Sequence, residues 1–205
     1  MPGRLILTTD ISTVAEAFSA LPGGLVEPPR HNIAPGQEIV TLGPDRILRK
    51  MRWGMIPVGR VNARGRPVME TIVNARSETV FAKSAFAGVG RCIVPADGWY
   101  EWTGEKRRKT AWRIGLKSGA VMGFAAISDV WHGPGGIEVP QVATVTCAPN
   151  ADVAAIHHRM GVILSPQDVG TWLEGNEEEA AALMRPLPNG VLKIAEARDV
   201  DWSAP

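Results

Sequence analysis

Three polar stretches of this chain carry side chains able to orient a ligand or move a proton. The first is VNARSETV at 73–80, which places Asn74, Arg76 and Glu78 at the end of an apolar run that predicts a strand. An amide can orient a ligand, an arginine can hold a phosphate, and a carboxylate can act as a base. A solvated turn after a strand would use the same residue types, so both interpretations stand.

Glu101 lies between Tyr100 and Trp102 in the second stretch, PADGWYEW at 95–102. Successive side chains of a strand alternate between its faces, so Glu101 should share a face with Trp99. A carboxyl group in apolar surroundings has a raised pKa and can serve as a general acid or base. The alternative is a surface glutamate flanked by core aromatics.

The third stretch, IHHRMG at 156–161, brings His157, His158 and Arg159 to the junction of a predicted helix and a predicted strand. Paired histidines can bind a metal, but adjacent side chains are expected to diverge, and the sequence has no CxxC or HExxH motif. We therefore predict one catalytic histidine, His157, beside a phosphate-binding Arg159, with no metal. The alternative is a polar helix end without chemistry.

Charge is distributed unevenly along the 205 residues, although the net charge is only +1. Residues 1–113 hold 17 Lys and Arg against 10 Asp and Glu, whereas residues 114–205 hold 5 against 11. Several of the arginines lie in the Gly-containing stretch PVGRVNARGRP at 57–67. Arginine makes bidentate contacts with phosphate, which suggests a polyanionic partner, although a GC-rich genome would produce the same composition.

Cysteine use and hydropathy indicate the compartment. Cys92 and Cys147 lie far apart and form no CxxC motif, so we expect reduced, buried thiols. The sequence has no apolar run as long as a membrane span, and its N-terminus lacks the apolar segment of a secretory signal. We expect a cytoplasmic protein without membrane contact.

Short β-runs separated by turn sequences dominate the chain, with a few short helical segments between them. Thr13 and Glu16 form a capping-box pattern that predicts a helix over 12–20. This arrangement favours an α+β fold with a curved, barrel-like, mostly antiparallel β-sheet core and peripheral short helices. We expect one domain over 1–205, in which 175–205 forms a C-terminal acidic helix and strand extension.

Tryptophan is frequent, with seven residues against one tyrosine. Most of the tryptophans are interleaved with apolar residues and are expected in the core. Trp53, in MRWGMIP, lies between Arg52 and Gly54. It could stack on an unpaired base, so we include it among the candidate DNA-binding residues, or it could lie in the core.

Taken together and in order, the motifs of this chain resemble those of one family. They are GR and TTD near the N-terminus, RHNIAPGQ, MRWGMIP, VNARSET, RCIVPADGWYEW, GFAAISDVW, TVTCAPN and IHHRMGVIL. From Gly3 to about Trp172 the chain is similar to the SOS-response-associated peptidase (SRAP) family of abasic-site processing proteins. Agreement in both order and spacing makes this resemblance far more specific than any single motif.

The resemblance implies a SRAP-like fold and a protein that binds single-stranded or gapped DNA at abasic sites. In the family, the initiator methionine is removed, and the cysteine after it traps the ring-opened aldehyde as a thiazolidine cross-link. Members also incise abasic DNA as lyases, reverse the cross-link, and are classed as peptidases for removing their own methionine. The resemblance implies a monomer that needs no metal or organic cofactor and is nucleoid-associated when bound to DNA.

Site roles follow from the matching motifs. The resemblance implies that Asn74 orients the sugar or the nucleophile, that Glu101 handles protons in Schiff-base chemistry, and that His157 assists ring opening and reversal. An N-terminal amine has a pKa of about 8, so part of it is neutral at neutral pH and able to attack an aldehyde. The resemblance also implies that phosphates are held by the arginines of the same motifs, Arg4, Arg76 and Arg159.

Position 2 departs from the family, because Pro2 stands where the family has its cysteine. Without the thiol no thiazolidine can form. Neither Cys92 nor Cys147 can replace it, since the ring needs an amine and a thiol on one residue. Gly161 is a second departure, where the family usually has proline, and it should loosen the backbone after Met160.

Three interpretations of Pro2 remain open. If Met1 is removed, Pro2 presents a secondary amine that could form an iminium with the abasic aldehyde and promote β-elimination. If Met1 stays, the Pro2 nitrogen is a tertiary amide, and the protein would bind DNA without covalent capture. Pro2 could also be an engineered or miscalled residue in place of a natural cysteine. A protein-interaction module is a further alternative, which the joint presence of Asn74, Glu101 and His157 weakens.

Overall fold

The chain folds around two β-sheets in a computed structural model that describes residues 2–57, 64, 70–105 and 108–203. Met1 and most of the basic stretch at 57–67 lie outside the described residues. Among the helices that are described, none is both long enough and apolar enough to cross a bilayer. Cys92 and Cys147 are buried free thiols, as expected.

Helices and strands of the described residues are short. In chain order they are β1 (Arg4–Leu7), α1 (Ile11–Ala17), β2 (Arg30–Ile33), β3 (Glu38–Leu42), β4 (Leu48–Trp53), β5 (Asn74–Arg76), β6 (Gly90–Ala96), β7 (Gly98–Thr103), β8 (Thr110–Leu116), β9 (Met122–His132), β10 (Glu138–Cys147), α2 (Ala151–Ala154), β11 (Met160–Gly161), β12 (Ile163–Leu164), α3 (Asp168–Glu174), α4 (Glu177–Ala182) and β13 (Leu192–Glu196). Single 3-10 turns lie at Ser84–Phe86 and Pro134–Gly136.

The larger sheet closes on itself to form a barrel. Strand β10 pairs with β4, β4 with β3, β3 with β6, β6 with β9, and β9 with β10 again. The β10–β4 pairing is parallel and the other four are antiparallel. Further along β10, β5 lies parallel to it and β11 antiparallel to it. The predicted α+β fold with a barrel-like, mostly antiparallel core is confirmed.

The second sheet has five antiparallel strands in the order β13, β8, β7, β1, β2. It packs on the barrel through Trp99 of β7, whose ring meets the edge of Phe124 of β9 at 5.6 Å between centroids. The carboxylate of Asp97, between β6 and β7, accepts hydrogen bonds from Thr8 and Thr9. Asp97 therefore fixes the crossing from the barrel to the second sheet.

The two faces of the five-stranded sheet differ in character. Tyr100 lies opposite Arg4 on one side and opposite Arg113 on the other, so these three residues share one face, which we call the outer face. Trp99 and Glu101 flank Tyr100 in sequence and point the other way, toward the barrel. The predicted pairing of Glu101 with Trp99 on one face is confirmed.

The first helix starts earlier than the sequence pattern predicts. It covers Ile11–Ala17 rather than 12–20, and its N-cap is Asp10, whose carboxylate accepts a 2.9 Å hydrogen bond from the Thr13 backbone N–H. The capping-box prediction was wrong because a carboxylate three residues before Thr13 already accepts this N–H. The acidic C-terminal segment does contain a capping box, formed by Asn176 and Glu179 at the start of α4.

Candidate active site

Asn74 holds the second residue of the chain in place. It opens β5 and lies opposite Thr144 of β10. The buried Thr144 hydroxyl donates to Asn74 Oδ1 at 2.5 Å, which leaves Asn74 Nδ2 to donate to the Pro2 carbonyl oxygen at 3.2 Å. Pro2 is itself buried. The predicted orienting amide therefore contacts the N-terminal segment directly, while its action on a substrate stays a prediction.

Glu101 is buried on β7, with 3% of its surface exposed. Loss of water raises the pKa of its carboxyl group to about 7, although the positive charge of the amino terminus acts in the opposite direction. The expected rise in pKa is confirmed, and the alternative of a surface glutamate is wrong. Near neutral pH both the acid and the carboxylate are populated, which suits a group that gives and takes protons.

The ring of His157 faces two backbone groups of one residue. Its Nδ1 lies 3.0 Å from the backbone nitrogen of Arg159 and 3.1 Å from the carbonyl oxygen of Arg159. A neutral ring with its proton on Nε2 accepts the N–H at Nδ1, whereas a ring protonated at Nδ1, whether neutral or charged, donates from Nδ1 to the carbonyl. Burial lowers the pKa of His157, so the neutral ring predominates at neutral pH.

The two neighbouring histidines lie side by side. The ring centroids of His157 and His158 are 4.4 Å apart and their planes differ by 25°. The expectation that the two side chains diverge was wrong, because the chain bends here and strand alternation does not apply. Across the residues that the structure describes, no three His, Cys, Asp or Glu side chains are grouped as metal ligands.

Arg159 is engaged inside the protein. Its guanidinium makes a bidentate pair with Glu78, at 2.7 Å from Nη1 to Oε1 and 2.9 Å from Nη2 to Oε2. It also donates from Nε to the Thr146 hydroxyl at 3.2 Å and from Nη2 to the Thr146 carbonyl. The pair lowers the pKa of the Glu78 carboxyl to about 2, which makes Glu78 a poor base, contrary to the sequence expectation. To bind a phosphate, Arg159 would have to release Glu78.

The other two predicted phosphate-binding arginines lie on different surfaces. Arg76 is exposed at the end of β5, two residues after Asn74 and therefore on the same side of that strand. Arg4 lies on the outer face, where its Nε donates to Asn32 Oδ1 at 2.9 Å. Arg76 is thus next to the candidate site, whereas Arg4 and Glu101 are on opposite faces of the five-stranded sheet.

Trp53 belongs to the core. Its side chain is 0% exposed, and its indole N–H donates to the carbonyl oxygen of Val73 at 3.1 Å. The assignment of Trp53 as a DNA-binding residue was wrong. Strand β4 is part of the barrel wall, paired there with Val142 of β10, and the indole is enclosed where no base can reach it.

Gly161 leaves space for the aromatic ring of Phe124. It is buried and pairs with Thr146 in a short strand. A Cβ atom at position 161 would lie 2.4 Å from the Phe124 ring and 3.6 Å from Pro2 Cγ. The expectation that Gly161 loosens the backbone was wrong, because strand pairing holds it. Its missing side chain instead lets Phe124 approach the backbone next to Pro2.

A hydrogen bond joins two of the predicted site residues, Asn74 and Pro2. The positive charge of the amino terminus acts to lower the pKa of two others, Glu101 and His157. Sequence reasoning did not identify Thr144, which orients Asn74. The available signal was the alternation in ATVTC, which places two threonines on one face of an otherwise apolar strand.

Comparison with known proteins adds sequence relatives to this geometry. The family described as SOS response associated peptidase (SRAP) matches residues 1–200. The abasic site processing protein YoqW of Bacillus subtilis (strain 168) is 35% identical over 183 residues, which cover 84% of this chain and 80% of that protein. The abasic site processing protein HMCES of Gallus gallus is 30% identical over 172 residues, covering 71% of this chain and 51% of its own length.

Solved structures share the fold. A protein from Bacteroides thetaiotaomicron superposes with a TM-score of 0.82 at 22% identity, covering 96% of this chain and 92% of its own. A phage-related protein from Bordetella bronchiseptica superposes with a TM-score of 0.73 at 28% identity, covering 96% and 94%. The arrangement of barrel and five-stranded sheet is therefore found in other proteins as well.

Proposed function

Because the chain belongs to the SOS-response-associated peptidase (SRAP) family, we propose that it binds single-stranded or gapped DNA at abasic sites and reacts through its N-terminal residue. The observation that carries the proposal is the hydrogen bond from Asn74 to Pro2. The buried Glu101 carboxyl group, with a pKa raised to about 7, supplies a group able to give and take protons. Similarity to proteins named for abasic site processing supports the choice of substrate.

The N-terminal residue supplies a nucleophile once Met1 is removed. The Pro2 nitrogen is then a secondary amine, which attacks the C1′ aldehyde of the ring-opened abasic sugar and forms a carbinolamine. Glu101, as the acid, donates a proton to the carbinolamine hydroxyl, which leaves as water and produces an iminium. The side chain of Asn74 holds the Pro2 carbonyl, which keeps the reacting nitrogen in position.

Strand incision then follows from proton removal. A base takes a proton from C2′ of the iminium, the electron pair forms the C1′–C2′ enamine and then expels the 3′ phosphate, and water hydrolyses the resulting iminium to regenerate the Pro2 amine. Glu101 as the carboxylate is one candidate for this base. His157 is neutral at neutral pH, so it suits removal of the proton from the C1′ hydroxyl during ring opening, and the imidazolium so formed donates that proton to the departing sugar oxygen.

Stable capture as a thiazolidine is not part of the proposal. Pro2 has no thiol, and the two cysteines of the chain are buried. Burial raises the pKa of Cys92 to about 12 and that of Cys147 to about 11, so neither is a thiolate at neutral pH. The expected covalent product is a hydrolysable iminium.

The test is the intact mass of the purified protein before and after incubation with an abasic single-stranded oligonucleotide and borohydride. Borohydride reduces an iminium to a stable amine. We expect loss of Met1 and a reduced protein–DNA adduct that maps to Pro2. An oligonucleotide of the same sequence without the lesion is the substrate control. The variant Pro2→Cys is the protein control, and it should form an adduct that survives without borohydride.

Two results would contradict reaction through Pro2. One is loss of Met1 with no adduct, while Pro2→Cys is cross-linked efficiently. The other is retention of Met1 with no adduct, together with tight binding of abasic DNA in a fluorescence-anisotropy titration. The second result would make the protein a non-covalent binder of the lesion.

A further inference from the structure

The outer face of the five-stranded sheet carries a depression next to a pair of facing glycines. Ile6 of β1 lies opposite Gly98 of β7, and Lys193 of β13 lies opposite Gly115 of β8. Because Trp99 lies opposite Ile114, the same register puts Gly98 next to Gly115. Two adjacent strands therefore lack side chains at the same level of the sheet. A cavity of about 240 Å³ lies here, lined by Gly115 together with Ile6, Arg113 and Lys193.

Substitution at these glycines is blocked by backbone atoms. A Cβ on Gly98 would lie 2.8 Å from the Ile114 carbonyl oxygen, and a Cβ on Gly115 would lie 2.9 Å from the Asp97 carbonyl oxygen. Neither contact can be relieved by a side-chain rotation, since both partners are backbone. The depression is therefore a built feature of the sheet.

Cationic side chains border this depression. Arg113 and Lys193 are exposed beside it, and His31 lies on its other side. Arg113 is held in position, because its guanidinium lies 5.7 Å from the centroid of the Tyr100 ring and its Nη2 donates to the Tyr100 hydroxyl at 3.2 Å. A guanidinium held over an aromatic ring is ready to bind a phosphate without a large loss of side-chain entropy.

Among the described residues that line the cavity, Asp97 carries the carboxylate, and this group is already hydrogen-bonded. Asp97 accepts hydrogen bonds from the backbone N–H groups of Thr8 and Thr9, at 2.5 and 2.9 Å. It also accepts from the hydroxyl groups of the same two residues, at 2.9 and 2.7 Å. Four neutral donors stabilise this carboxylate, and the two cations that line the cavity, Arg113 and Lys193, outnumber it.

Aromatic side chains adjoin the cations on the same face. Trp202 meets Tyr100 edge-on at 5.0 Å between centroids, and it lies 5.5 Å from Trp102. Trp202 remains 39% exposed, so part of its ring is available for stacking. A positively charged groove next to exposed aromatic rings is the arrangement that binds single-stranded nucleic acid without regard to sequence.

We propose that this outer-face depression is a second contact surface for a nucleic-acid strand, with a phosphate between Arg113 and Lys193 and a base against Trp202. The inference deepens the proposed function, on which the identity of the strand as DNA rests. The segment that contains β1 connects the two surfaces. It runs from Pro2 in the candidate site to Thr8 at the depression, and an extended chain of this length spans roughly 20 Å. Arg4 lies on the outer face between the two ends of that segment.

The test compares short and long single strands. A double charge reversal, Arg113→Glu with Lys193→Glu, is titrated by fluorescence anisotropy against a long single-stranded oligonucleotide and against a short one that covers only the lesion, over a series of salt concentrations. We expect on the order of tenfold weaker binding of the long strand and a salt slope smaller by about 0.7, because one phosphate is no longer neutralised. Binding of the short strand should stay the same.

Matched variants separate this surface from general charge and from folding. Arg185→Glu with Lys117→Glu makes the same charge change on exposed residues outside the cavity and should leave long-strand binding less affected. Trp202→Ala removes the stacking ring without changing charge and should weaken long-strand binding alone. Thermal melting of each variant verifies that it is folded.

Several results would overturn the outer-face proposal. They are unchanged long-strand binding in the double charge reversal, an equal loss for short and long strands, or an equal loss in the matched charge control. A free mononucleotide that binds the parent as tightly as the long strand would also overturn it, because the ligand would then be a nucleotide rather than a strand. Failure of the proposed function would be detected separately. In that case the parent protein would form no adduct with abasic DNA and would bind abasic DNA no more tightly than undamaged DNA.

Discussion

The amide of Asn74 donates a 3.2 Å hydrogen bond to the carbonyl oxygen of Pro2. The hydroxyl of Thr144 donates to the other end of the same amide. Thr144 is fully buried, so it can satisfy its hydrogen only through Asn74 or a neighbouring acceptor. A buried hydroxyl on the barrel thus determines which end of Asn74 faces the N-terminal residue, and with it the position of the reacting nitrogen.

Replacing Thr144 by valine should therefore slow the reaction of Pro2. Valine has the shape of threonine but no hydroxyl, so the amide loses the partner that orients it. We expect adduct formation to slow roughly fivefold, since one hydrogen bond contributes about 1 kcal/mol. The control is Thr41→Val, which removes another buried hydroxyl, bonded to the Arg49 carbonyl oxygen in the barrel. Equal rates for both variants would show that Thr144 does not orient the site.

Replacing Glu101 by glutamine should impair chemistry and stabilise the fold above neutral pH. Folded Glu101 keeps its proton up to about pH 7, whereas the usual glutamate pKa is 4.5, so the parent loses stability as pH rises through this window. Glutamine avoids that loss, which amounts to about 3 kcal/mol at pH 8 and vanishes below pH 4.5. We expect adduct formation to fall roughly 100-fold.

Denaturant unfolding across this pH range, together with borohydride trapping, measures both effects of the Glu101 variant. The control is Glu38→Gln, on an exposed position of β3, which should change neither quantity. A Glu101→Gln variant that is no more stable than the parent at pH 8 would contradict the raised pKa. A variant that traps DNA at the parental rate would remove Glu101 from the mechanism.

Replacing Arg76 by alanine should weaken binding of single-stranded DNA without affecting stability. Arg76 is exposed two residues after Asn74, so its charge can contact a strand that enters the site. We expect the slope of log affinity against log salt to shrink by about 0.7, as for one lost phosphate contact. Arg185→Ala, another exposed arginine, is the control. The same affinity and slope as the parent at every salt concentration would place the DNA elsewhere.

Replacing Arg159 by alanine should act mainly on the fold. It leaves Glu78 and Thr146 without the donors of the bidentate pair, which we expect to cost roughly 2 kcal/mol of unfolding free energy, because the pair is partly exposed. The pKa of Glu78 is lowered to about 2, so the contribution of the pair is complete above pH 4.5 and is lost as pH falls toward 2. The stability difference between the parent and Arg159→Ala should narrow over that range, as followed by urea unfolding, while the part due to the Thr146 hydrogen bonds remains. A constant difference would contradict the pairing.

Replacing Gly161 by alanine should destabilise the protein by about 1–3 kcal/mol, because the new methyl group would overlap the Phe124 ring. Gly90→Ala is a suitable control, since a Cβ there meets its nearest neighbour, the Ser128 hydroxyl, at an ordinary 3.5 Å. Trimming the ring with Phe124→Leu should recover part of the loss in the double variant. Thermal unfolding measures all three. Equal melting temperatures for the two alanine variants would contradict the close approach.

Much of the fold could be predicted from local patterns. Short apolar runs divided by Gly, Pro and Asp turns predict a strand-rich fold, and the order of the motifs indicates the family. Closure of the barrel could not be predicted, since it depends on β10 pairing with β4 about 90 residues earlier in the chain. The sequence pattern placed the start of α1 one residue too late. It assigned a capping box to Thr13 and Glu16, whereas in the structure Asp10 is the N-cap and accepts the Thr13 N–H.

The sequence by itself determined the chemistry that position 2 can perform. Pro2 has an amine and no thiol, and no arrangement of the fold changes that. The alternation around Glu101 also indicated an apolar face. These conclusions depend on residue identity and on the geometry of a single strand, so they need no knowledge of distant segments.

Only the tertiary structure decided which candidate side chains are available to react. Trp53 is enclosed by the barrel wall, and Arg159 is neutralised by Glu78, which lies 81 residues earlier in the chain. Glu101 acquires a pKa of about 7 because two sheets exclude water from it. Exposure, pairing and desolvation all arise from atoms brought together by folding, and for that reason they belong to the fold rather than to any one stretch of sequence.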